Sequence, residues 1–308
     1  STQLKEILAG YNLEAGQMKE VSMVHRMSVM VRRVMNAGKR FEALLAFLEV
    51  QFERINELGG FKKEELNLEI EFKYMLAHAC YRNRFFEKAL RVLREVYPDL
   101  NSLPQAQEYK WFTTCVLLEA ACKSFSGKNK SAIQSLNPLL EHPAFSAFPK
   151  ERLNLMLNLA VYHFQQKEFY QAKTYLENLG HSTQWMSNQL GREWVLKWQM
   201  IRVINFVELG EIDQAHKILE KLEQEGDPMY TQQVYRRVLL FLNYIRRYLK
   251  APQMFQMDSM EEELKDVFVT GQTAEKDLQA MAYYAWLQSK ASGKDYYQML
   301  LGMVGEMA

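Results

Sequence analysis

Apolar residues recur along this chain at helical spacing, and one stretch shows the pattern in full: Glu151 to Leu179, ERLNLMLNLAVYHFQQKEFYQAKTYLENL. Leu153, Met156, Leu157, Ala160, Val161 and Phe164 fall on one helical face, because residues three and four apart lie one above the other. Gln166-Lys167-Glu168 interrupts the pattern, and Phe169 then opens a second run with Ala172, Tyr175, Leu176 and Leu179. The spacing predicts two helices, at about 150–166 and 169–179, joined by a tight turn. Small Ala160 and Ala172 let the two axes approach, and Phe169 plugs the hairpin at its turn. A lone hairpin this short cannot take its apolar stripe out of water, so it needs neighbours.

Other stretches align on Ala172. Ala89 has Phe86, Ala77 and Leu93 at matching offsets; Ala132 has Ala120, Gly127 and Leu136; Ala215 has Gly210, Ile212 and Leu219; Leu44 has Phe41 and Leu48. Weaker copies centre on Met257 and Met299. The mean spacing of these seven anchors is about 42 residues, the scale of a two-helix repeat. The pattern predicts helix pairs at about 17–37 and 40–57, 63–82 and 85–97, 105–126 and 129–141, 184–209 and 212–225, and 273–291 and 294–307. A long helix at about 229–250 precedes a less regular stretch with a helix near 256–266. Pro98 is expected to end its helix, with a linker from Asp99 to Pro104. HPAFSAFP, His142 to Pro149, is expected to be irregular.

The small-residue, aromatic-plug, Ala and Leu positions resemble the tetratricopeptide repeat family over roughly residues 20–308. The resemblance implies an all-α fold, a right-handed α-solenoid of about seven antiparallel helical hairpins. It implies one repeat domain over residues 1–308, with units at roughly 17–60, 61–100, 104–145, 150–181, 184–227, 228–270 and 272–308. Two features depart from the family: the period exceeds the usual repeat of about 34 residues, and the sixth unit carries Pro252 in its turn and Glu261 in place of Leu. The long period suits divergent members with extended helices, and it leaves HEAT-like pairs, of about 40–47 residues, as an alternative class.

Composition narrows the picture. Seven prolines and 14 glycines in 308 residues suit helices with short connections. A net charge of +1 gives no global pull towards nucleic acid or an anionic membrane. No run of apolar residues is long enough to span a bilayer. Cys80, Cys115 and Cys122 have no framework spacing, and all fall on first helices, so buried thiols in a reducing cytoplasm are expected. The chain opens on Ser1 rather than Met, which leaves room for an effector domain upstream.

The sequence holds no phosphate-binding Gly-rich loop, dinucleotide fingerprint, zinc-protease motif or nucleophile elbow. His78-Ala79-Cys80 places its two soft ligands on different helix faces, and Cys115 with Cys122 is too small a set for a metal. No cofactor and no metal are expected. Arg236-Arg237, Arg246-Arg247 and Lys250 form a basic stripe, read as a solvated flank beside the apolar face of the same helix.

In the family resembled here the first helices line a concave surface that receives peptides. Matched spacing places Tyr74, His78, Tyr81 and Arg82 there, then Leu117, Ala121 and Phe125, then Asn154, Leu157, Asn158, Val161, Phe164 and Gln165, then Lys197, Met200 and Ile204, and Arg246. Rings supply contact area, and amides bond an extended backbone. The family's clamp for a chaperone's C-terminus needs Lys and Asn where Tyr74 and His78 stand, so that use is disfavoured. The expected function is a non-enzymatic protein- or peptide-binding scaffold without direct contact to nucleic acid. The alternative is the ligand-sensing module of a larger regulator.

Overall fold

A computed structural model describes residues 20–38, 40–142, 147–224, 236–256, 258–269 and 278–305. The Met257 anchor, the first residues of the helix expected at 229–250 and the middle of HPAFSAFP lie outside those residues. The fold is all-α, and the described residues hold no strand. Among the described residues sixteen α-helices follow one another. They are α1 (Val21–Ala37), α2 (Phe41–Glu57), α3 (Leu66–Arg82), α4 (Phe86–Leu100), α5 (Gln105–Phe125), α6 (Asn129–Glu141), α7 (Pro149–Gln165) and α8 (Phe169–Glu177). Then come α9 (Thr183–Leu190), α10 (Arg192–Glu208), α11 (Ile212–Gln224), α12 (Arg236–Lys250), α13 (Pro252–Phe255), α14 (Asp258–Val269), α15 (Leu278–Ser292) and α16 (Tyr296–Gly305). The chain divides into two compact units, Ser1–Cys122 and Lys123–Met307.

In the first unit α1 packs on α2, α3 on α4, and α2 on α3. In the second, α7 packs on α8, α10 on α11, and α15 on α16. Four of the hairpins close by one device. Arg84, Gly127, Lys167 and Gly210 stand at φ 65, 78, 62 and 74, each five residues before its anchor alanine. The following N–H reaches back to the helix it has left: Phe85 to the Cys80 carbonyl, Lys128 to Lys123, Glu168 to His163 and Glu211 to Phe206, at 2.8–2.9 Å. This is the Schellman termination, in which one left-handed residue satisfies the last carbonyls and turns the chain. Beneath the turns Ala89, Ala132, Ala172 and Ala215 are fully buried, as are Ala77, Ala120, Ala160 and Val203 at the matching places on the first helices. Leu93, Leu136, Leu176 and Leu219 follow one turn later in the core, each worth about 1.5–3 kcal/mol when removed from water.

Side-chain amides tie neighbouring hairpins. Asn83 Nδ2 donates to the Phe41 carbonyl at 2.8 Å, and Asn205 Nδ2 to the Phe169 carbonyl at 3.2 Å. Both acceptors are the first residue of a second helix, so the ring that plugs one hairpin also offers a carbonyl to the next.

Three local expectations are corrected. Pro98 does not end α4, which runs on to Leu100; a proline in the last turn removes a single hydrogen bond to the preceding turn. The linker therefore shortens to Asn101–Pro104. The helix expected over 184–209 is two, α9 and α10, broken at Gly191 with φ 90. Near the sixth anchor the helix expected at 256–266 is α14, shifted to Asp258–Val269, with the short α13 ahead of it.

The second unit also contains contacts that local spacing does not announce. α15 and α16 return to the middle of the chain: the Tyr297 hydroxyl donates to the Ser124 carbonyl, the Tyr296 ring meets Phe164 edge-on at 5.4 Å, and Lys167 pairs with Asp295 at 2.8 Å. Trp286 Nε1 and Lys290 Nζ both reach Glu208 at 2.6 Å. Lys167 thus serves the turn and the last hairpin together, which gives a non-glycine left-handed residue a reason to stand there.

Gly210 tests the turn cleanly, because nothing lies within 4 Å of an added Cβ. Gly210→Ala is expected to lower the unfolding free energy by about 1–2 kcal/mol in urea titrations, with the slope unchanged. Ala172→Leu is expected to cost about 1–3 kcal/mol by wedging α7 from α8.

Candidate functional site

In the first unit, α3 presents a wall of rings. Tyr74, His78 and Tyr81 succeed one another at centroid separations of 6.1 Å, one helical turn apart. All three are half-buried, as is Arg82. Neighbouring helices extend the wall: Trp111 of α5 lies 5.7 Å from Tyr74, and the Arg32 guanidinium of α1 lies 5.6 Å over the same ring. The Arg82 guanidinium stacks at 4.1 Å on Phe41. The Trp111 indole donates to Asn67 Oδ1 at 3.0 Å, fixing its ring.

The electrostatics of this wall are one-sided. Burial and the nearby Arg32 and Arg82 charges hold the His78 imidazole neutral, its pKa pushed down to about 3. Burial pushes the Tyr74 phenol up to about 12, against the pull of Arg32. Glu71 faces Arg32 and Lys110 but meets His25 at 3.2 Å, and His25 is the main cause of its lowered pKa. His78 Nδ1 and Arg82 Nε are buried without a hydrogen-bond partner among the described residues.

In the second unit the expected face of α7 divides. Asn154, Leu157, Asn158 and Val161 are half-buried. Asn154 Oδ1 accepts from the Trp194 indole at 2.8 Å, and Asn158 Nδ2 donates to the Asn154 carbonyl at 2.8 Å. Phe164 and Gln165, also expected on this face, are interior. Phe164 is 2% exposed beneath Tyr296, and Gln165 Oε1 accepts from Ser124 and Asn129, both at 2.8 Å. The returning terminal hairpin is the physical reason. The same holds on α10, where Met200 and Ile204 are 3% and 1% exposed. Lys197 remains half-buried on that helix. Leu117, Ala121 and Phe125 of α5 are half-buried. Arg246 donates to the Leu219 carbonyl at 3.3 Å, and Arg247 forms a two-pronged pair with Glu263 at 2.6 and 3.0 Å. Arg246 and Arg247 of the basic stripe are thereby held by the fold.

Trp111 and Trp194 escaped the sequence reading, although a signal exists. Each stands at the same offset before its anchor, Ala132 or Ala215, and each indole bonds an asparagine of an earlier first helix.

A cavity of about 300 Å³ lies in the second unit between the central turn and the last hairpin, lined by Phe164, Lys167, Glu208, Tyr248, Lys290 and Tyr296. Its charges satisfy one another through the Lys167–Asp295 and Lys290–Glu208 pairs. Cys80, Cys115 and Cys122 are buried, their thiols pushed up to about 11, 12 and 12 chiefly by burial, so they are poor nucleophiles. The described residues hold no group of three His, Cys, Asp or Glu placed to share a metal ion. No described helix is long and apolar enough to cross a membrane.

His78 gives a pH signature. An unfolded imidazole protonates near pH 6.5, whereas the folded one resists until about pH 3. Below pH 6.5 the unfolded state therefore binds the extra proton, and stability falls as pH falls through this window. His78→Leu should remove this contribution. The gap in unfolding free energy between pH 7 and pH 5 should narrow by about 1–2 kcal/mol relative to the parent chain, read from urea melts at each pH.

Comparison with known proteins adds the fold. No family model matches the chain, and no curated protein matches its sequence. Among solved structures it is similar to the Rap conjugation gene regulator of the plasmid pLS20, determined in complex with the Phr* peptide. The two share 12% identity at a TM-score of 0.63, over 92% of this chain and 73% of the other. At that identity the likeness is one of fold: both are helical repeat chains.

Proposed function

We propose that this chain is a non-enzymatic, tetratricopeptide-like scaffold that binds a peptide along the faces of its first helices, in the cytoplasm. The observation that carries the reading is the wall of α3. A closed core has no use for partly exposed rings in register with cations that form no ion pair among the described residues, whereas a peptide gains contact area from such rings at little entropic cost. The likeness to a regulator solved with a peptide supports the same use. Ring-fixing bonds such as Trp111 to Asn67 and Trp194 to Asn154 preorganise the surface, so less ordering free energy is lost on binding. The residues proposed to meet a ligand are Tyr74, His78, Tyr81 and Arg82 in the first unit and, as a separate patch, Asn154, Asn158 and Lys197 in the second. Phe164, Gln165 and Arg246 act as supports behind it.

A second reading is favoured by the likeness to a conjugation gene regulator: the same face senses a peptide and passes the signal to an effector. An open reading frame encoding a DNA-binding segment ahead of Ser1 would favour that version.

The test is selection of a displayed library of random dodecapeptides on the whole chain. Related sequences should be enriched that compete with one another at micromolar concentration. Tyr74→Ala combined with Asn158→Ala should weaken the best of them at least about ten-fold, at an unchanged urea midpoint, which is the scale of losing one anchoring ring. No enrichment over an unrelated helical protein, or no effect of the pair, would sink the proposal.

A further inference from the structure

We infer that the α3 wall of the first unit selects peptides carrying an acidic side chain at an internal position, seated between Arg32 and Arg82. The inference rests on the peptide-binding reading above and names the chemistry of its ligand.

The argument starts from charge. Arg32, Arg82 and Lys110 surround the rings of Tyr74, His78 and Trp111. None of the three cations forms an ion pair among the described residues, and the nearby acid, Glu71, is turned to His25. Three half-buried lysines elsewhere have acids, Lys73 with Glu69 at 2.7 Å, Lys173 with Glu211 at 2.7 Å and Lys290 with Glu208 at 2.6 Å, whereas Arg202 rests on Trp198 and Phe206 without one among the described residues. The α3 wall thus gathers three cations around one carboxylate, Glu71, which feels Arg32 and Lys110 but lies against His25.

The geometry then fits a carboxylate. Each guanidinium lies on a ring, Arg32 on Tyr74 and Arg82 on Phe41, which fixes its plane while leaving its edge free to donate. Such a fork meets a carboxylate with two parallel bonds. Arg82 Nε and His78 Nδ1 lie buried behind these edges without a partner among the described residues, so the fold leaves polar groups of this wall under-satisfied.

The position of the acid follows from the rings. Tyr74 and Trp111 continue the wall on one side of His78, and Tyr81 continues it on the other. A peptide therefore runs past the cations in both directions, and the group they hold is a side chain within it rather than its end.

The experiment uses the whole chain and a positional library of heptapeptides with acetylated N-termini and amidated C-termini, alongside the same library with free C-termini. The expected result is enrichment of Asp or Glu at one internal position of the capped peptides. An Asp→Asn change in the best capped peptide should weaken it at least about ten-fold, the scale of a charge-assisted bond. Arg32→Gln with Arg82→Gln should abolish the acid preference while thermal unfolding stays cooperative, and raised salt should weaken the parent interaction more than the variant's. Should that double variant fail to fold, Arg32→Lys with Arg82→Lys keeps the charge and removes the fork, and it should lower the preference. Binding that requires only the free C-terminus would overturn the internal placement. Enrichment with no acid at any position would overturn the inference and leave the peptide reading standing. Retention of no peptide at all would remove the peptide reading itself.

Discussion

The structure depends on how closely two helix axes can approach within a hairpin. Where α7 packs on α8, Ala160 and Ala172 are fully buried, and where α3 packs on α4 the same is true of Ala77 and Ala89. A larger residue at either place would hold the axes apart and unseat the ring that opens the second helix. The approach also requires a chain reversal within three or four residues, which the left-handed residue and its six-to-one hydrogen bond provide. Two units meet that requirement with Gly127 and Gly210, whose φ values carry no penalty in glycine. The other two use Arg84 and Lys167 and accept strain of about 1–2 kcal/mol, which at Lys167 accompanies the ion pair to Asp295.

Most of this was legible in the chain because hairpin packing is local. The stripe that makes each helix amphipathic is the stripe it buries against its neighbour, so periodicity alone placed α5, α6, α7 and α11 to within a residue or two of their ends. Local reasoning lost ground where an element's fate depends on its position or on distant residues. Pro98 looks like a stop, yet in the last turn it sacrifices a single bond. The apolar pattern runs on through Gly191 from α9 into α10, although the backbone there leaves the helical region. No local signal says that Tyr296 and Tyr297 will return to Phe164 and Ser124, because nothing in either segment's own spacing encodes the other.

The candidate surface divides along the same line. Tyr74, His78, Tyr81 and Arg82 could be placed on one face because their offsets from Ala89 fix it. Arg32, Phe41 and Trp111 complete that face from other helices and could be recognised only once those helices were in place. Phe164 and Gln165 had the right offsets from Ala172 and still went inside. Offsets determine the direction in which a side chain points. What covers it is decided by the rest of the chain.

The contrast between the two charged regions carries the last step. Around the cavity of the second unit, Lys167 and Lys290 are each met by an acid of the same unit, so their desolvation is offset within the fold. Around α3 the guanidiniums rest on rings, a weaker compensation of about 0.5–2 kcal/mol each, and His78 is held neutral in their field. Partly buried like charges that share one carboxylate, Glu71, itself lying against His25, are offset less completely than charges met one to one. Hairpin packing alone does not require them: Leu117 and Leu157 occupy the place of Tyr74, and Ala121 and Val161 that of His78. The aromatic and cationic composition of this one wall is therefore separable from what holds the repeats together.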